Sequence, residues 1–327
     1  LPANRIELIS AESGMMNFVR QVRRISRSSR FDLVHSHGFS AGALTTIALF
    51  GKRSLPHLMT AHDVLREAQF SGWRGRSRQV AMEQLFRRID LIHAVTSDAR
   101  NNFLEFFPSV NPDRAIPILH GVDTVFFRDG VPRNLKQELS LDPATPLIGF
   151  FGRFMGQKAF RVLVDAMENL VADPSLPMTP HVATFGWGGF IREDYEYLNS
   201  KNLGSYFHQL PQTHDMPGAL KGVDVIAMPS RWEACGLLAM EALAAGLPIV
   251  GTNCIGLREV LEGSPAQMVN VDDRQGLAEA LNYELEHLPS RKQEFDQYSS
   301  IADQRFGIER PARELFALYQ TLTGKKD

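Results

Sequence analysis

The residues best equipped for chemistry lie in PSRWEACGLLAMEALAAGLPIV, residues 229–250, where Glu233 and Glu241 stand eight positions apart. An ionised carboxylate only accepts hydrogen bonds, so two of them set apart can grip two hydroxyl-bearing parts of one ligand. With Glu233 in a loop and Glu241 on the helix that follows, the pair need not share a helical face. The amides of Cys235, Gly236 and Leu237 would open that helix and face an anion or a polar sugar edge. On spacing alone, the pair also fits an amphipathic helix with an acidic first turn. A second cluster is FFGRFMGQKAF, in which Gly152, Arg153 and Lys158 occupy a loop between an apolar strand and a helix. A guanidinium and an ammonium converging beside a helix start suit a diphosphate and the charge that develops as it leaves. In isolation they also fit two solvated loop cations. His62 follows the apolar run HLMTA, and His35 and His37 alternate at the end of another run. A lone histidine at such a strand end is more often structural than functional. Metal ligation is disfavoured, because no third ligand has suitable spacing.

Such groups need rigid elements behind them. In the first half of the chain, residues 31–37, 57–61, 89–96 and 115–119 read as strands and residues 41–50 and 79–88 as helices, with a further helix capped by Ser97 or Asp98. Upstream, Arg20, Arg23, Arg24, Arg27 and Arg30 interleave with Phe18, Val19, Val22 and Ile25 on an expected basic amphipathic helix. Residues 129–146 are rich in charge, proline and turn formers and read as the interdomain linker. The alternation then restarts, with strands over residues 147–151, 181–185, 223–228 and 248–251 and helices over 160–170, 237–245 and 276–287. This is the grammar of two α/β, doubly wound domains, which bind ligands beyond the carboxyl ends of their strands. Residues 1–10 resemble an interior strand, and their abrupt start carries the expectation that an upstream strand-loop-helix unit is missing.

The stretch from residue 229 to 250 resembles the E-x7-E signature of glycosyltransferase family 4, and its PS, G-L pair and EALAAGLP carry the match. The resemblance implies the GT-B fold: two Rossmann-like doubly wound domains facing across a cleft, working with retention of configuration and without a metal. It implies that Glu233 contacts the donor sugar and Glu241 the nucleotide ribose. FFGRFMGQK resembles the family's G-R-x4-K motif, which holds the donor diphosphate, with Ala159 where a glycine usually follows. His62 resembles the family histidine near the donor sugar and diphosphate. The HSH strand end resembles a D-x-x-H-x-H pattern, which puts His37 and Gly38 on the acceptor side of the cleft. HGVDTVFF is similar to an N-G-V-D turn with His120 in place of Asn, and FGWGG, with Gly186, resembles a glycine loop under the nucleotide into which Trp187 is inserted. Residues 310–322 resemble the helix that crosses back to the first domain. The expected organisation is 1–135 for the acceptor-side domain, 145–305 for the nucleotide-sugar domain and 306–327 for the returning segment.

The expected activity is transfer of a hexosyl-type group from a nucleoside diphosphate sugar to an acceptor hydroxyl on a glycan, a lipid-linked sugar or a small molecule, in polysaccharide or glycoconjugate biosynthesis. No cofactor and no nucleic-acid partner are expected. The alternatives are an inactive or truncated sugar-nucleotide binding module and a sugar-nucleotide epimerase or phosphorylase; the E-x7-E context weighs against the last two.

The whole chain bounds these readings. Its 327 residues are enough for two cores, and it has no apolar run near the roughly 18 residues that span a bilayer. Two cysteines without a CxxC pair point to a reducing compartment and to no zinc site. Residues 1–140 hold 19 Lys and Arg against 13 Asp and Glu, and the remainder 16 against 24, so a net charge of -2 hides a +6 half and a -8 half. The clusters at Arg20–Arg30 and at Arg74, Arg76 and Arg78 read first as solvated faces and second as a contact with an anionic membrane or acceptor. A cytoplasmic protein, peripheral at the inner face of the membrane, is the corresponding location.

Overall fold

The computed structural model describes residues 7–10, 13–27, 31–51, 55–174 and 176–324. The chain divides into two compact units, one of Leu1–Ile118 with Arg313–Asp327 and one of Leu119–Ala312. Most of the strand expected over residues 1–10 lies outside the described residues, as does Arg30, and residues 7–10 form no regular element.

In the first unit four parallel strands, β1 (Val34–His37), β2 (His57–Ala61), β3 (Leu91–Ala94) and β4 (Ala115–Pro117), pair in sequence order. β2 is buried at every position, as a strand covered on both faces must be. One face packs against an aromatic cluster of Phe39, Phe70, Phe86, Phe103 and Phe107. The helix Ser97–Phe106 is capped not by Ser97 or Asp98 but by Thr96, whose hydroxyl accepts from the Ala99 amide. The basic helix is Met15–Ile25. Its Arg23 donates to the Ile47 and Ala48 carbonyls at the end of the helix Phe39–Ala48, so one of the expected surface cations serves as a helix cap.

The second unit carries six parallel strands, β5 (Leu147–Phe151), β6 (His181–Phe185), β7 (Phe207–Leu210), β8 (Val225–Met228), β9 (Ile249–Thr252) and β10 (Gln267–Val269). They are ordered β10-β9-β8-β5-β6-β7. Leu147, Phe151, Ile226 and Met228 enter one core, while Ile148, Phe150, Val225 and Ala227 enter the other, so the period-2 alternation builds a layer on each face. The strand order reverses between β5 and β8. In open α/β sheets the connections at such a switch point leave toward opposite faces, and ligands bind in the crevice past the strand ends.

Residues 119–135, expected to belong with the first domain, pack in the second unit. The Val122 amide donates to the Phe306 carbonyl at 2.8 Å, and Phe127 and Leu135 sit in the second unit's core. Linker-like composition therefore misled: Leu135 is 0% exposed, and Lys136 pairs with the buried Asp224 at 2.8 Å. Among the described residues no helix is long and apolar enough to cross a membrane.

Candidate active site

Two loops meet at the β5/β8 switch point: residues 152–158 after β5 and residues 229–236 after β8. The Arg231 amide donates to the Gln157 carbonyl (2.8 Å), Arg231 Nη1 to the Gly156 carbonyl (2.9 Å), and Gln157 Nε2 to the Trp232 carbonyl (2.8 Å). At the centre, Lys158 Nζ pairs with Glu233 Oε1 at 2.6 Å. Ser230 Oγ donates to the same oxygen at 2.7 Å, and Gln157 Nε2 donates to Oε2 at 3.3 Å. Glu233 is 6% exposed, and a buried carboxylate needs such a set of donors to replace the water it has lost. Lys158 has three donor hydrogens. Glu233 is its one side-chain partner among the described residues, which leaves donors for an anion.

Arg153 is exposed and has neither a hydrogen-bond nor an ion-pair partner among the described residues; its guanidinium carbon lies 5.8 Å from the centroid of the Trp187 ring. Trp187 follows β6 and is 62% exposed. The loops after β5 and β6 touch backbone to backbone: the Gly152 amide donates to the Phe185 carbonyl, and a Cβ on Gly186 would fall 1.9 Å from the Gly152 carbonyl oxygen. Gly186, at φ 141°, is therefore required by contact as well as by conformation. The Lys158 side chain passes over Gly152, with its Cε 3.5 Å from where a Cβ would stand.

Glu241 lies on the helix Leu237–Ala244, and its carboxylate has no partner among the described residues. Burial pushes its pKa up to about 7. A half-buried carboxylate without a donor is poised to accept from a ligand. The amides at the start of the same helix are less available than expected. The Leu237 amide is committed to the Cys235 carbonyl at 2.8 Å, leaving those of Cys235 and Gly236 as candidates. Burial pushes the Cys235 thiol up to about 12, so it is no nucleophile at neutral pH.

In the first unit, His37 ends β1, Gly38 follows with its amide donating to the Thr60 carbonyl, and His62 follows β2. His37 Nδ1 and His62 Nε2 are 2.9 Å apart and share one hydrogen. Burial and the neighbouring His37 lower the His62 pKa, so its neutral imidazole is favoured. The sequence-selected residues thus gather as Lys158 with Glu233, as Gly152 with Gly186, and as His37 with His62. Gln157 and Ser230 were missed. Gln157 occupies a variable position of the loop motif, and Ser230 is a small residue whose value comes only from facing Glu233. Among the described residues no group of three or more His, Cys, Asp or Glu is placed to hold a metal ion.

Residues 145–287 match the family model described as Glycosyl transferases group 1, and residues 1–119 match that of the Glycosyl transferase 4-like domain. The chain is 26% identical to the alpha-maltose-1-phosphate synthase of Mycolicibacterium smegmatis, over 88% of this chain and 78% of that protein. It is 28% identical to the lipopolysaccharide core biosynthesis mannosyltransferase LpsB of Rhizobium meliloti, over 73% of this chain and 67% of that one. In fold it is similar to Anabaena HepE in complex with UDP-glucose, with a TM-score of 0.83 at 21% identity, covering 96% of this chain and 85% of that one.

Proposed function

This chain belongs to glycosyltransferase family 4, enzymes of the GT-B fold, and we propose that it moves a hexosyl group from a nucleoside diphosphate sugar to an acceptor hydroxyl with retention and without a metal. The observation that carries this reading is the convergence of Lys158, Glu233, Gln157 and Ser230 at the β5/β8 switch point, with Arg153 on the same loop as Lys158 and Glu241 on the helix that follows Glu233, neither of them hydrogen-bonded or ion-paired through its side chain among the described residues.

Arg153 and Lys158 hold the diphosphate, a task for cations with donors to spare. Glu233, fixed by three donors, presents its carboxylate to the hydroxyls of the donor sugar, and Glu241 accepts from the ribose diol. As the bond from the anomeric carbon to the diphosphate oxygen breaks, its electron pair stays on that oxygen, and Arg153 and Lys158 stabilise the charge. The acceptor oxygen bonds to the anomeric carbon on the face the diphosphate leaves, and its proton passes to a phosphate oxygen. His62, half-buried and with its neutral form favoured, orients the sugar by hydrogen bonding. A glycosidase-type assignment fits poorly, because its two carboxylates must flank one bond and Glu241 stands on a separate helix from the Lys158–Glu233 pair.

UDP-glucose is the first donor to test, since the similar Anabaena protein is recorded with it, and sugar or sugar-phosphate hydroxyls are the first acceptors, given the names of the relatives. Peripheral binding to an anionic membrane through Arg20 and Arg24 belongs to the same proposal and is read by liposome co-sedimentation with those arginines replaced. The deciding experiment measures free nucleoside diphosphate with and without acceptor. Release should require acceptor and fall on the order of 100-fold or more in Lys158→Ala. Acceptor-independent turnover, or turnover that Lys158→Ala leaves intact, would sink the assignment.

A further inference from the structure

The first unit contains a line of polar contacts that the donor site does not explain. Tyr319, on the helix Glu309–Thr323, has its hydroxyl 2.8 Å from His35 Nδ1. His35 Nε2 is 2.7 Å from Thr60 Oγ1, which is 3.1 Å from His93 Nδ1, and His93 Nε2 is 2.9 Å from the Ile118 carbonyl. The carbonyl at the far end sets the direction of every bond. A carbonyl only accepts, so His93 Nε2 carries a hydrogen. In a neutral ring Nδ1 is then a bare acceptor and takes the Thr60 hydroxyl hydrogen. Thr60 has no second hydrogen, so His35 Nε2 must donate to it. His35 Nδ1 is then bare and accepts from Tyr319.

The opposite direction requires His93 to hold a second proton, and the site resists that. His93 is 3% exposed, and burial lowers its pKa, against the Ile118 carbonyl, which raises it. Burial, with the neighbouring histidines adding to it, lowers His35 to about 3. The same burial raises the Tyr319 pKa, which keeps its donor hydrogen in place.

His35 is consequently held at both ring nitrogens, and on it rests the ring of His37, with centroids 4.2 Å apart and planes tilted by 33°. His37 in turn holds His62. We propose that Tyr319 is a positioning residue for the His37–His62 pair, acting through His35, whose ring it anchors in one orientation while the Ile118 carbonyl, through His93 and Thr60, sets the tautomer. The C-terminal helix then contributes to the site without touching substrate. This inference rests on the reading of His62 as a donor-site residue for its effect on rate, but the hydrogen-bond line stands on geometry alone.

The test uses the full chain with ¹⁵N-labelled histidine. In the wild type, His35 and His93 should both show a protonated Nε2 and a bare Nδ1. Tyr319→Phe should leave the His35 tautomer in place, because Thr60 still requires the Nε2 hydrogen, yet shift the His37 and His62 signals and lower kcat roughly tenfold, the scale of a misplaced group rather than a missing one. The KM for the donor should stay unchanged, because Arg153 and Lys158 are untouched. A purely structural role would move thermal stability without moving the His62 signals. Either the reversed tautomers in the wild type, or unchanged His37 and His62 signals in Tyr319→Phe, would overturn the proposal. If the wild type transfers no sugar from any donor, the proposed function fails by itself, and the spectra still decide the role of Tyr319.

Discussion

Glu241 and Glu233 began as one motif, yet their surroundings give them different physics. Glu233 is held in place by donors from Lys158, Ser230 and Gln157. Glu241 is partly buried and has no donor among the described residues, so burial disfavours its charged form and its pKa rises from 4.5 to about 7. The folded state therefore binds more protons than the unfolded one between those values, and stability falls as pH rises through that window. Glu241→Gln removes this term. The ligand-free variant should be more stable than wild type at pH 8 and no more stable at pH 4, as read by thermal unfolding at the two values. In exchange, binding of a nucleoside diphosphate should weaken at pH 8, because a carboxamide cannot accept at both oxygens as a carboxylate can. A stability difference independent of pH would mean that Glu241 already has a partner.

At the scale of elements, the loops after β5 and β6 matter as a unit, because they approach through glycine. Gly186→Ala should cost about 3 kcal/mol, since a Cβ cannot share space with the Gly152 carbonyl, and it should also weaken diphosphate binding by displacing the backbone under Lys158. Ala159 is the reverse case. It sits at φ 51°, ψ 43° before the helix Phe160–Ala172, a left-handed conformation that costs a residue with a Cβ about 1 kcal/mol. Ala159→Gly should raise the melting temperature of this unit by roughly 2–4 °C, while leaving Lys158 in place; a fall would show that the methyl group, which is buried, contributes more by packing than it costs in strain.

The same elements show what a sequence can reveal. The unbroken apolar run of β5 was legible to the residue, as burial on both faces favours; β2 was legible from its length and position although it also buries His57 and Thr60, which are hydrogen-bonded there. The helix Leu288–Phe306 was not. Its buried stripe runs through Arg291, Phe295, Tyr298, Ser299, Ala302 and Phe306, at helical spacing, but it includes a guanidinium that is acceptable only because Glu284 meets it at 2.9 Å. A pairing across two helices cannot be read from either one. The switch-point loops were found from their charged residues, whereas Gln157 and Ser230 acquire meaning only once the loops are adjacent.

At the scale of the whole molecule, the two units respond to acid with opposite signs. In the first, burial holds His35 near 3 and His57 near 4 and lowers His62 and His93 as well. A histidine with a depressed folded pKa takes up its proton sooner in the unfolded chain, so stability is present above 6.5 and is lost progressively as pH falls below it. The second unit gains over part of that range, because Glu241 accepts a proton near 7 in the folded state and only near 4.5 when unfolded. Its Asp224 adds nothing to acid lability until much lower pH. Burial alone would raise that carboxyl, but Lys136, Lys292 and the Leu147 amide outweigh the burial and hold it below its ordinary value of 3.8. His181 and His208 oppose the gain, yet both are only partly buried, so protonating them costs less. Between pH 7 and pH 5 the first unit should therefore weaken while the second holds. Hydrogen exchange should show β2 and β3 losing protection by pH 5, with β5 and β8 unchanged. Simultaneous loss in both sheets would mean that the units unfold as one and that the histidines of the first do not set its acid limit.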